Sequence, residues 1–462
     1  MINPFVDTDY PQPPLGLAMI AAVLEKKGYA VKILDLPALK LSKNSVSSFI
    51  SVENPDLVGI SAMTPNLTSA INLARQIKEV KPEVVIVLGG PHATLFPGET
   101  LQNVPEVDIV VQGEGEETIV ELVKTFERGE SVNPQILGIA YRKKKGIQIN
   151  PKRPFISNID YLPFPSFNLL PMNKYILHPP HGKRTPAIPI MTSRGCPYRC
   201  IYCSKSVFGR KYRANSPEYI VNEIEYLIEK FNAKEITFYD DVFTLDAKRI
   251  HKICDGLDAK GIDIPWTCET RVNLVTRELV ERMKKSGCYL IAYGVESGNQ
   301  TILNNLKKDI MIKQITQAFK MTHETGIQTV AYFMIGSPGE THETIKETIA
   351  LAKKINPDFA QFSVSTPFPG TELFDIASKS GLVSKNWNDY VYAELRAIDF
   401  PAFETSDLTK EALQKWNITA YKSFYIRPQY ILKRIKKIRS FDEMKLNIKG
   451  LLMFTELLRK KH

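Results

Sequence analysis

Apolar residues in the first 130 positions occur in short runs that alternate with segments of helical spacing. The short runs predict strands at Ala30–Leu36, Asp56–Ser61, Glu83–Leu88 and Val107–Gln112, with Met1–Pro4 as the remnant of a first strand. The segments of helical spacing predict helices at Leu15–Lys27, Leu67–Val80 and Glu116–Arg128. Strands that alternate with helices favour a parallel, doubly wound sheet, which binds ligands beyond the carboxyl ends of its strands.

A second alternation of the same kind begins at Ile188. Its strands are predicted at Ile188–Thr192, Glu235–Tyr239, Trp266–Thr270, Leu290–Val295, Thr329–Ile335 and Phe359–Ser365. The helices between them are predicted at Ser216–Phe231, Ala247–Lys260, Arg277–Ser286, Ile312–Thr325 and Thr341–Lys354. Six such units favour a parallel barrel or a partial one, whose strand-end residues face a common mouth.

The segment between the two alternations is irregular. It contains a predicted hairpin, Gly138–Tyr141 with Gly146–Ile149, and then a proline-rich stretch that is typical of a linker. We therefore divide the chain into a first domain of residues 1–130, a linker of residues 131–184, a second domain of residues 185–395 and a helical, basic region of residues 396–462.

The charge of the chain is concentrated at its C-terminal end. The 462 residues carry a net charge of +10, and residues 421–462 contain 12 Lys and Arg against 3 Asp and Glu, a net charge of +9. Because the rest of the chain is nearly neutral, no nucleic-acid partner is expected for it. No apolar run reaches the roughly 20 residues of a membrane helix, and no signal peptide is recognised, so the expected location is the cytoplasm.

Three of the six cysteines, Cys196, Cys200 and Cys203, form a tight group in the loop after the strand predicted at Ile188–Thr192. Three thiolates in one short loop can ligate a 4Fe–4S cluster and leave one iron open for a substrate or a cofactor. A structural zinc site is the alternative, with His178 or His181 as a fourth ligand. The other cysteines are expected to be core or surface thiols: Cys254, Cys268 and Cys288.

This cysteine motif resembles that of the radical S-adenosylmethionine superfamily, and the resemblance extends over roughly Ile188 to Ser380. It implies that S-adenosylmethionine (SAM) binds the open iron of the cluster and is cleaved by one electron to methionine and a 5′-deoxyadenosyl radical. An electron donor such as flavodoxin or ferredoxin is the implied partner. The resemblance also implies cofactor-binding roles for Tyr202, Asp240, Asp241, Arg271, Glu296 and Ser297.

The strand ends of the first domain carry glycines and small polar residues. Together with Pro13–Leu17 before the first helix, they resemble the cobalamin-binding subfamily of the same superfamily. The Asp-x-His-x-x-Gly run that ligates cobalt in other cobalamin proteins does not occur, so His92 is not expected to ligate cobalt; a degenerate domain that binds substrate or a partner stays open. The resemblance implies that cobalamin lies near Ser61, Thr64, Gly89, Gly90, His92, Gly113 and Glu114.

The expected fold is thus α/β: a doubly wound, cobalamin-binding-like sheet, a partial (β/α)6 radical SAM barrel and a C-terminal helical tail. The implied function is cobalamin-dependent transfer of a methyl group to an unactivated carbon of a small-molecule or lipid substrate. One alternative is a cobalamin-associated cyclase or oxidoreductase acting on a tetrapyrrole or lipid. The other is a zinc-stabilised, non-enzymatic protein that binds nucleic acid.

The basic tail has apolar and basic residues at helical spacing from Tyr430 to Arg439. Such a helix is expected either to pack its apolar side on the barrel and leave its basic face in water, or to contact anionic lipid head groups.

Overall fold

The computed structural model describes residues 1–41, 43–177, 181–383, 387–390, 403–405 and 408–437. These residues form two compact units. The first contains residues 1–176, 189–233 and the described residues from 367 to 390. The second contains residues 177–188, 234–366 and the described residues from 403 to 437.

The first unit is built on a seven-stranded sheet of order β2-β1-β3-β4-β5-β6-β7. Its first five strands are parallel, and the last two join antiparallel. The strands are β1 (Ile2–Asn3), β2 (Leu34–Asp35), β3 (Leu57–Ser61), β4 (Val85–Gly89), β5 (Ile109–Val111), β6 (Ile139–Arg142) and β7 (Ile147–Ile149). The helices are α1 (Leu15–Glu25), α2 (Leu36–Leu39), α3 (Lys43–Glu53), α4 (Leu67–Val80), α5 (Pro91–Leu95), α6 (Pro97–Asn103) and α7 (Glu116–Glu127).

This sheet is buried on both faces, as the doubly wound arrangement requires. Ile86 and Leu88 of β4 belong to one core cluster together with Leu73 of α4. Val87, which points to the opposite face, belongs to a second cluster together with Leu122 of α7. Burial on both faces explains why β4 is an uninterrupted apolar run in the sequence.

The rest of the chain contains eight further strands and nine further helices among the described residues. The strands are β8 (Ala187–Ile190), β9 (Ser193–Arg194), β10 (Arg213–Ala214), β11 (Glu235–Phe238), β12 (Trp266–Thr270), β13 (Cys288–Glu296), β14 (Gln328–Ile335) and β15 (Phe359–Val364). The helices are α8 (Pro217–Phe231), α9 (Ala247–Ala259), α10 (Arg277–Lys285), α11 (Gln300–Asn305), α12 (Ile312–Glu324), α13 (His342–Ile355), α14 (Glu372–Lys379), α15 (Lys410–Tyr425) and α16 (Pro428–Lys437).

Strands β11 to β15 of the second unit belong to a six-stranded sheet of order β15-β14-β13-β12-β11-β8. Strands β11 to β15 pair in parallel, so their carboxyl ends lie along one edge. The helices that follow β11, β12, β13 and β14 each begin at a side-chain cap, and these caps fix where the strand-end loops stop. The capping residues are Asp246, Thr276, Asn299 and Thr341.

The α/β fold class predicted from the sequence is confirmed. The strand predicted over Ala30–Leu36 is shorter, Leu34–Asp35: it begins four residues later than predicted, and α2 begins directly after it at Leu36. The predicted hairpin extends the first sheet with β6 and β7. Helices α3 and α6 were not predicted: α6 has only seven residues, and polar residues outnumber the apolar ones in the eleven residues of α3. Across the described residues, no helix is both long enough and apolar enough to cross a membrane.

Candidate functional site

The three clustered cysteines lie in a loop of the first unit that β9 and β10 close at its base. Cys196 and Cys200 are buried, Cys203 is partly exposed, and none of the six cysteines forms a disulfide. Gly195 begins the loop with a φ of +82°, and a Cβ there would lie 2.4 Å from the carbonyl oxygen of Lys211. Glycine is therefore required at the start of the loop.

The donor set of this loop fits an iron–sulfur cluster, because it supplies the three thiols that leave one iron open. Tyr202, which precedes the last cysteine, is half-buried. Within the described part of the chain, no group of three or more His, Cys, Asp or Glu side chains, the three loop cysteines included, is gathered closely enough to hold a metal ion, so the fit rests on the chemistry and spacing of the thiols. Nδ1 of His181 lies 3.1 Å from Oγ1 of Thr267 in the second unit, and His178 lies outside the described residues.

Four predicted residues meet at the carboxyl ends of β3 and β4. Nδ1 of His92 lies 3.0 Å from Oγ1 of Thr64, and burial lowers the pKa of His92 to about 4, so its imidazole is neutral near pH 7. Gly90 has a φ of +95°, and a Cβ there would lie 2.7 Å from the carbonyl oxygen of Ala62 and 3.1 Å from Oγ of Ser61. The turn after β4 therefore requires glycine.

Thr94 links the ends of β4 and β5. Its Oγ1 donates to the carbonyl of Gly90 at 2.9 Å and accepts from the N–H of Gly113 at 3.0 Å. Gly89 pairs in register with the last residue of β3. Nε2 of the buried Gln112 has no hydrogen-bond partner among the described residues. An orphaned donor one residue before Gly113, whose φ is +73°, fits a polar ligand such as cobalamin at these strand ends.

Glu114 is fastened to the base of the cysteine loop. One of its carboxylate oxygens accepts from Nη1 of Arg194 at 2.8 Å, and Nη1 of Arg213 donates to both oxygens at 2.8 Å. The N–H of Ile156 also donates to Glu114, at 2.9 Å, while Oε1 of Glu116 accepts from Nη2 of Arg194 at 2.6 Å. The side chain of Glu114 therefore contacts the cysteine loop, whereas the backbone of Gly113 is hydrogen-bonded to Thr94 at the strand ends.

Glu296 and Arg271 come together in the second unit through Lys308. Nζ of Lys308 lies 2.6 Å from Oε1 of Glu296, both side chains are buried, and Arg271 donates to the carbonyl of Lys308. A Cβ on Gly294 would lie 2.6 Å from Oε1 of Glu296, so this glycine leaves room for the ion pair. Adjacent acidic and basic groups suit a zwitterion such as the methionine part of SAM.

The other predicted residues of the second unit do not all join this group. Asp240 is buried and Asp241 is exposed, directly after β11. Ser297 is buried, and its Oγ lies 3.2 Å from Oγ1 of Thr348 in α13. The side chain of Ser297 thus contacts a helix that packs on the sheet.

Lys308 was missed by the sequence analysis. It follows a lysine in a polar segment after a short helix, a pattern that indicates a surface residue. Its neighbours Lys307 and Asp309 both have a positive φ, +50° and +52°, and this conformation of the loop turns Lys308 inward. Glu269 was missed as well: burial raises the pKa of its carboxyl, which accepts from the hydroxyl of Tyr332 at 3.1 Å.

Glu340 lies in the loop after β14 and is buried. Its Oε2 accepts from the N–H groups of Gly336 at 2.6 Å and Ser337 at 2.9 Å, while burial raises the pKa of the carboxyl to about 7. Oε1 of Glu340 and the hydroxyls of Ser337 and Ser365 have no hydrogen-bond partner within the described residues. This strand end therefore holds a carboxyl group that is partly protonated near neutral pH.

Two models of known protein families match separate parts of the chain. A model of the B12 binding domain matches residues 6–123, and a model of the radical SAM superfamily matches residues 190–352. An uncharacterized methyltransferase of Pyrococcus horikoshii is 38% identical over 442 residues, which cover 95% of this chain and 93% of that protein.

A second relative and a solved structure are also similar. An anaerobic magnesium-protoporphyrin IX monomethyl ester cyclase of Rubrivivax gelatinosus is 33% identical over 78% of this chain and 66% of its own length. A radical SAM methyltransferase of Kitasatospora setae, solved with cobalamin and a 4Fe–4S cluster bound, has a TM-score of 0.72 at 17% identity, covering 93% of this chain and 88% of its own. At that identity the likeness is one of fold.

The raised pKa of Glu340 predicts a pH-dependent stability. The folded protein keeps a proton that the unfolded chain loses above a pKa of 4.5, so folding stability falls as pH rises from about 4.5 to about 7. Relative to Glu340→Gln, the native protein should lose up to about 3 kcal/mol between pH 5 and pH 8. Urea unfolding followed by tryptophan fluorescence measures the difference. Glu343→Gln, an exposed change in α13, is the control; parallel curves for native protein and Glu340→Gln would contradict the prediction.

Proposed function

The chain belongs to the radical SAM superfamily, among the members that carry a B12 binding domain, and from this membership we propose that it is a cobalamin-dependent methyltransferase. The observation that carries the proposal lies in the first unit. There the loop of three cysteines is fastened to the sheet whose strand ends hold Gly90, His92 and Gly113. The residues that we propose for the cluster and those that we propose for cobalamin thus belong to one unit.

When bound, the cluster and SAM supply a 5′-deoxyadenosyl radical, and cobalamin supplies a methyl group. In this proposal the thiolates of Cys196, Cys200 and Cys203 ligate the cluster. At the strand ends of the first unit, the neutral His92 and the orphaned Nε2 of Gln112 hydrogen-bond cobalamin.

The second unit binds SAM in this proposal. Arg271 and Lys308 hold the carboxylate of its methionine part, and Glu296 accepts from its ammonium group or a ribose hydroxyl. The half-buried Glu269 and Tyr332, on the same sheet, contact the substrate in this proposal.

A cyclase is the second candidate, because one relative with 33% identity is named as such. The two functions differ in products. A methyltransferase converts one SAM to S-adenosylhomocysteine and cleaves another to 5′-deoxyadenosine, whereas a cobalamin-associated cyclase forms 5′-deoxyadenosine alone.

Protein reconstituted anaerobically with iron, sulfide and hydroxocobalamin should therefore yield both products from SAM under a strong reductant. Liquid chromatography with mass spectrometry quantifies them. Cys203→Ala should lose 5′-deoxyadenosine, because the cluster delivers the cleaving electron. Formation of 5′-deoxyadenosine without S-adenosylhomocysteine would favour the cyclase.

If the three loop cysteines ligate the cluster, substitution of any one of them should cause a loss of bound iron that substitution of another cysteine does not cause. Alanine substitution of Cys196, Cys200 or Cys203 should lower bound iron well below the roughly four atoms per chain of a 4Fe–4S cluster, since each thiolate ligates one iron. Iron analysis and the visible absorbance of the cluster measure this. Cys254→Ala removes a buried thiol of α9 and should retain the cluster; equal iron loss in Cys254→Ala would argue against ligation by the loop.

We also propose that α16 contacts an anionic membrane. The substrate in this proposal is a small molecule or a lipid. Of the two expected arrangements, packing of the apolar side on the barrel holds only for Tyr430, which is buried. Arg434 stacks 4.5 Å over the ring of Phe359, and Nζ of Lys433 lies 3.4 Å from Oδ1 of Asp358. The outward stripe consists of Ile431, Leu432 and Ile435, which are 44%, 57% and 59% exposed.

An outward apolar stripe in a segment with a net charge of +9 matches the apolar and anionic layers of a lipid surface. The protein should co-sediment with phosphatidylglycerol vesicles, and Leu432→Glu with Ile435→Glu should weaken binding at least about tenfold, because two apolar side chains leave the membrane. Val52→Glu, at an 80% exposed apolar residue of α3, is the matched control. Equal binding by the double variant would show that the stripe is not the contact.

The partners and location follow the same proposal. A low-potential donor such as flavodoxin or ferredoxin supplies the electron. A reducing cytoplasm suits the six cysteines, none of which is in a disulfide.

A further inference from the structure

Four buried charged side chains join the turn after β5 to the base of the cysteine loop. Arg194 and Arg213 lie directly opposite each other on β9 and β10, and their charges would repel if nothing stood between them. Glu114 accepts from both guanidinium groups, and Glu116 accepts from Arg194. The four charges cancel, which is the condition under which ions can be buried.

The surroundings of this ion cluster fix its geometry. The backbone of Ile156 donates to Glu114 at 2.9 Å and accepts from Arg213 at 2.9 Å. The ring of Phe208, itself part of the cysteine loop, lies 5.3 Å from the guanidinium of Arg194, and Nη2 of Arg213 donates to the carbonyl of Phe208. The loop is thus held at its base and along its returning half.

The ion cluster is also continuous with the strand ends assigned to cobalamin. Glu114 follows Gly113, whose N–H donates to Thr94, and Thr94 donates to the carbonyl of Gly90. At the other side, Arg194 lies two residues before Cys196. Hydrogen bonds, ion pairs and two short backbone links, Gly113–Glu114 and Arg194–Cys196, therefore connect the ends of β4 and β5 to the first cysteine.

From this continuity we infer that Glu114, Arg194 and Arg213 are positioning residues that couple cobalamin binding to the ordering of the cysteine loop. The inference rests on the proposed function. A ligand that fixes the Gly113 turn fixes Glu114, and Glu114 fixes the two arginines at the base of the loop. Coupling is reciprocal, so a loop held by its cluster tightens cobalamin binding by the same factor.

Hydrogen exchange of the cluster-free full chain, with and without hydroxocobalamin, tests the coupling. Binding is measured separately, by absorbance titration. Hydroxocobalamin should slow amide exchange in residues 195–212 about tenfold, a factor within the usual range of coupling between sites. Arg213→Lys keeps the charge and one donor for Glu114, but it loses the second guanidinium nitrogen, Nη2, which donates to the carbonyl of Phe208 in the loop. This variant should therefore bind hydroxocobalamin with little slowing of the loop.

Glu114→Gln is the stronger variant, and Arg213→Lys remains informative if Glu114→Gln does not fold. Arg153→Gln is the matched control, because it removes an arginine that pairs with Glu121 on α7 away from the loop. It should retain the full slowing of exchange.

The reciprocal measurement is the affinity for hydroxocobalamin with and without the cluster. The dissociation constant should fall about tenfold on cluster loading in the native protein and in Arg153→Gln, and little in Arg213→Lys. If hydroxocobalamin binds but does not slow exchange in the native loop, the coupling inference is overturned while the cobalamin assignment stands. No binding of hydroxocobalamin would overturn the cobalamin assignment and, with it, the inference.

Discussion

Two buried arginines that face each other on paired antiparallel strands need nearby negative charges, because burial leaves no water to screen the repulsion between their guanidinium groups. Arg194 and Arg213 meet this condition through Glu114, which belongs to a different part of the sequence. Removal of one partner from such a group typically costs about 3–5 kcal/mol. The cysteine loop can therefore adopt its closed base only on the folded first sheet, and residues 189–233 accordingly belong to the first unit.

A second constraint acts at Glu296. A non-glycine residue with a φ of +68° carries strain of about 1–3 kcal/mol, which the surrounding structure must hold in place. The ion pair with Lys308 does so, and Gly294 leaves the space for it. The carboxylate of Glu296 is thereby held in one direction before any ligand arrives, which is the property that a binding site requires.

Periodicity predicted most of the framework. The bounds of β12 and α4 were predicted as observed, because each has a single strong pattern and clear punctuation at its ends. The three cysteines were recognisable because their spacing is local. Lys308 and Gln112 were not predicted, since burial of a lysine or an amide depends on distant neighbours. The ion pairs of Glu114 were not predicted for the same reason, because its arginine partners are distant in the sequence. The outward stripe of α16 was not predicted because a sequence pattern shows which face of a helix is apolar, but not which face packs against the protein.

The cysteines outside the loop differ from Cys203 in their expected reactivity. Cys254, Cys268 and Cys288 are buried, and burial raises the pKa of Cys254 to about 11 and that of Cys268 well above its usual value. Thiolates are the species that alkylating reagents and oxidants attack, so these thiols are slow to react. Cys203 is partly exposed. Before the cluster is assembled, covalent labelling and oxygen damage should therefore begin at the third cysteine of the loop, and mild alkylation followed by peptide mapping reports how much of a preparation still lacks its cluster.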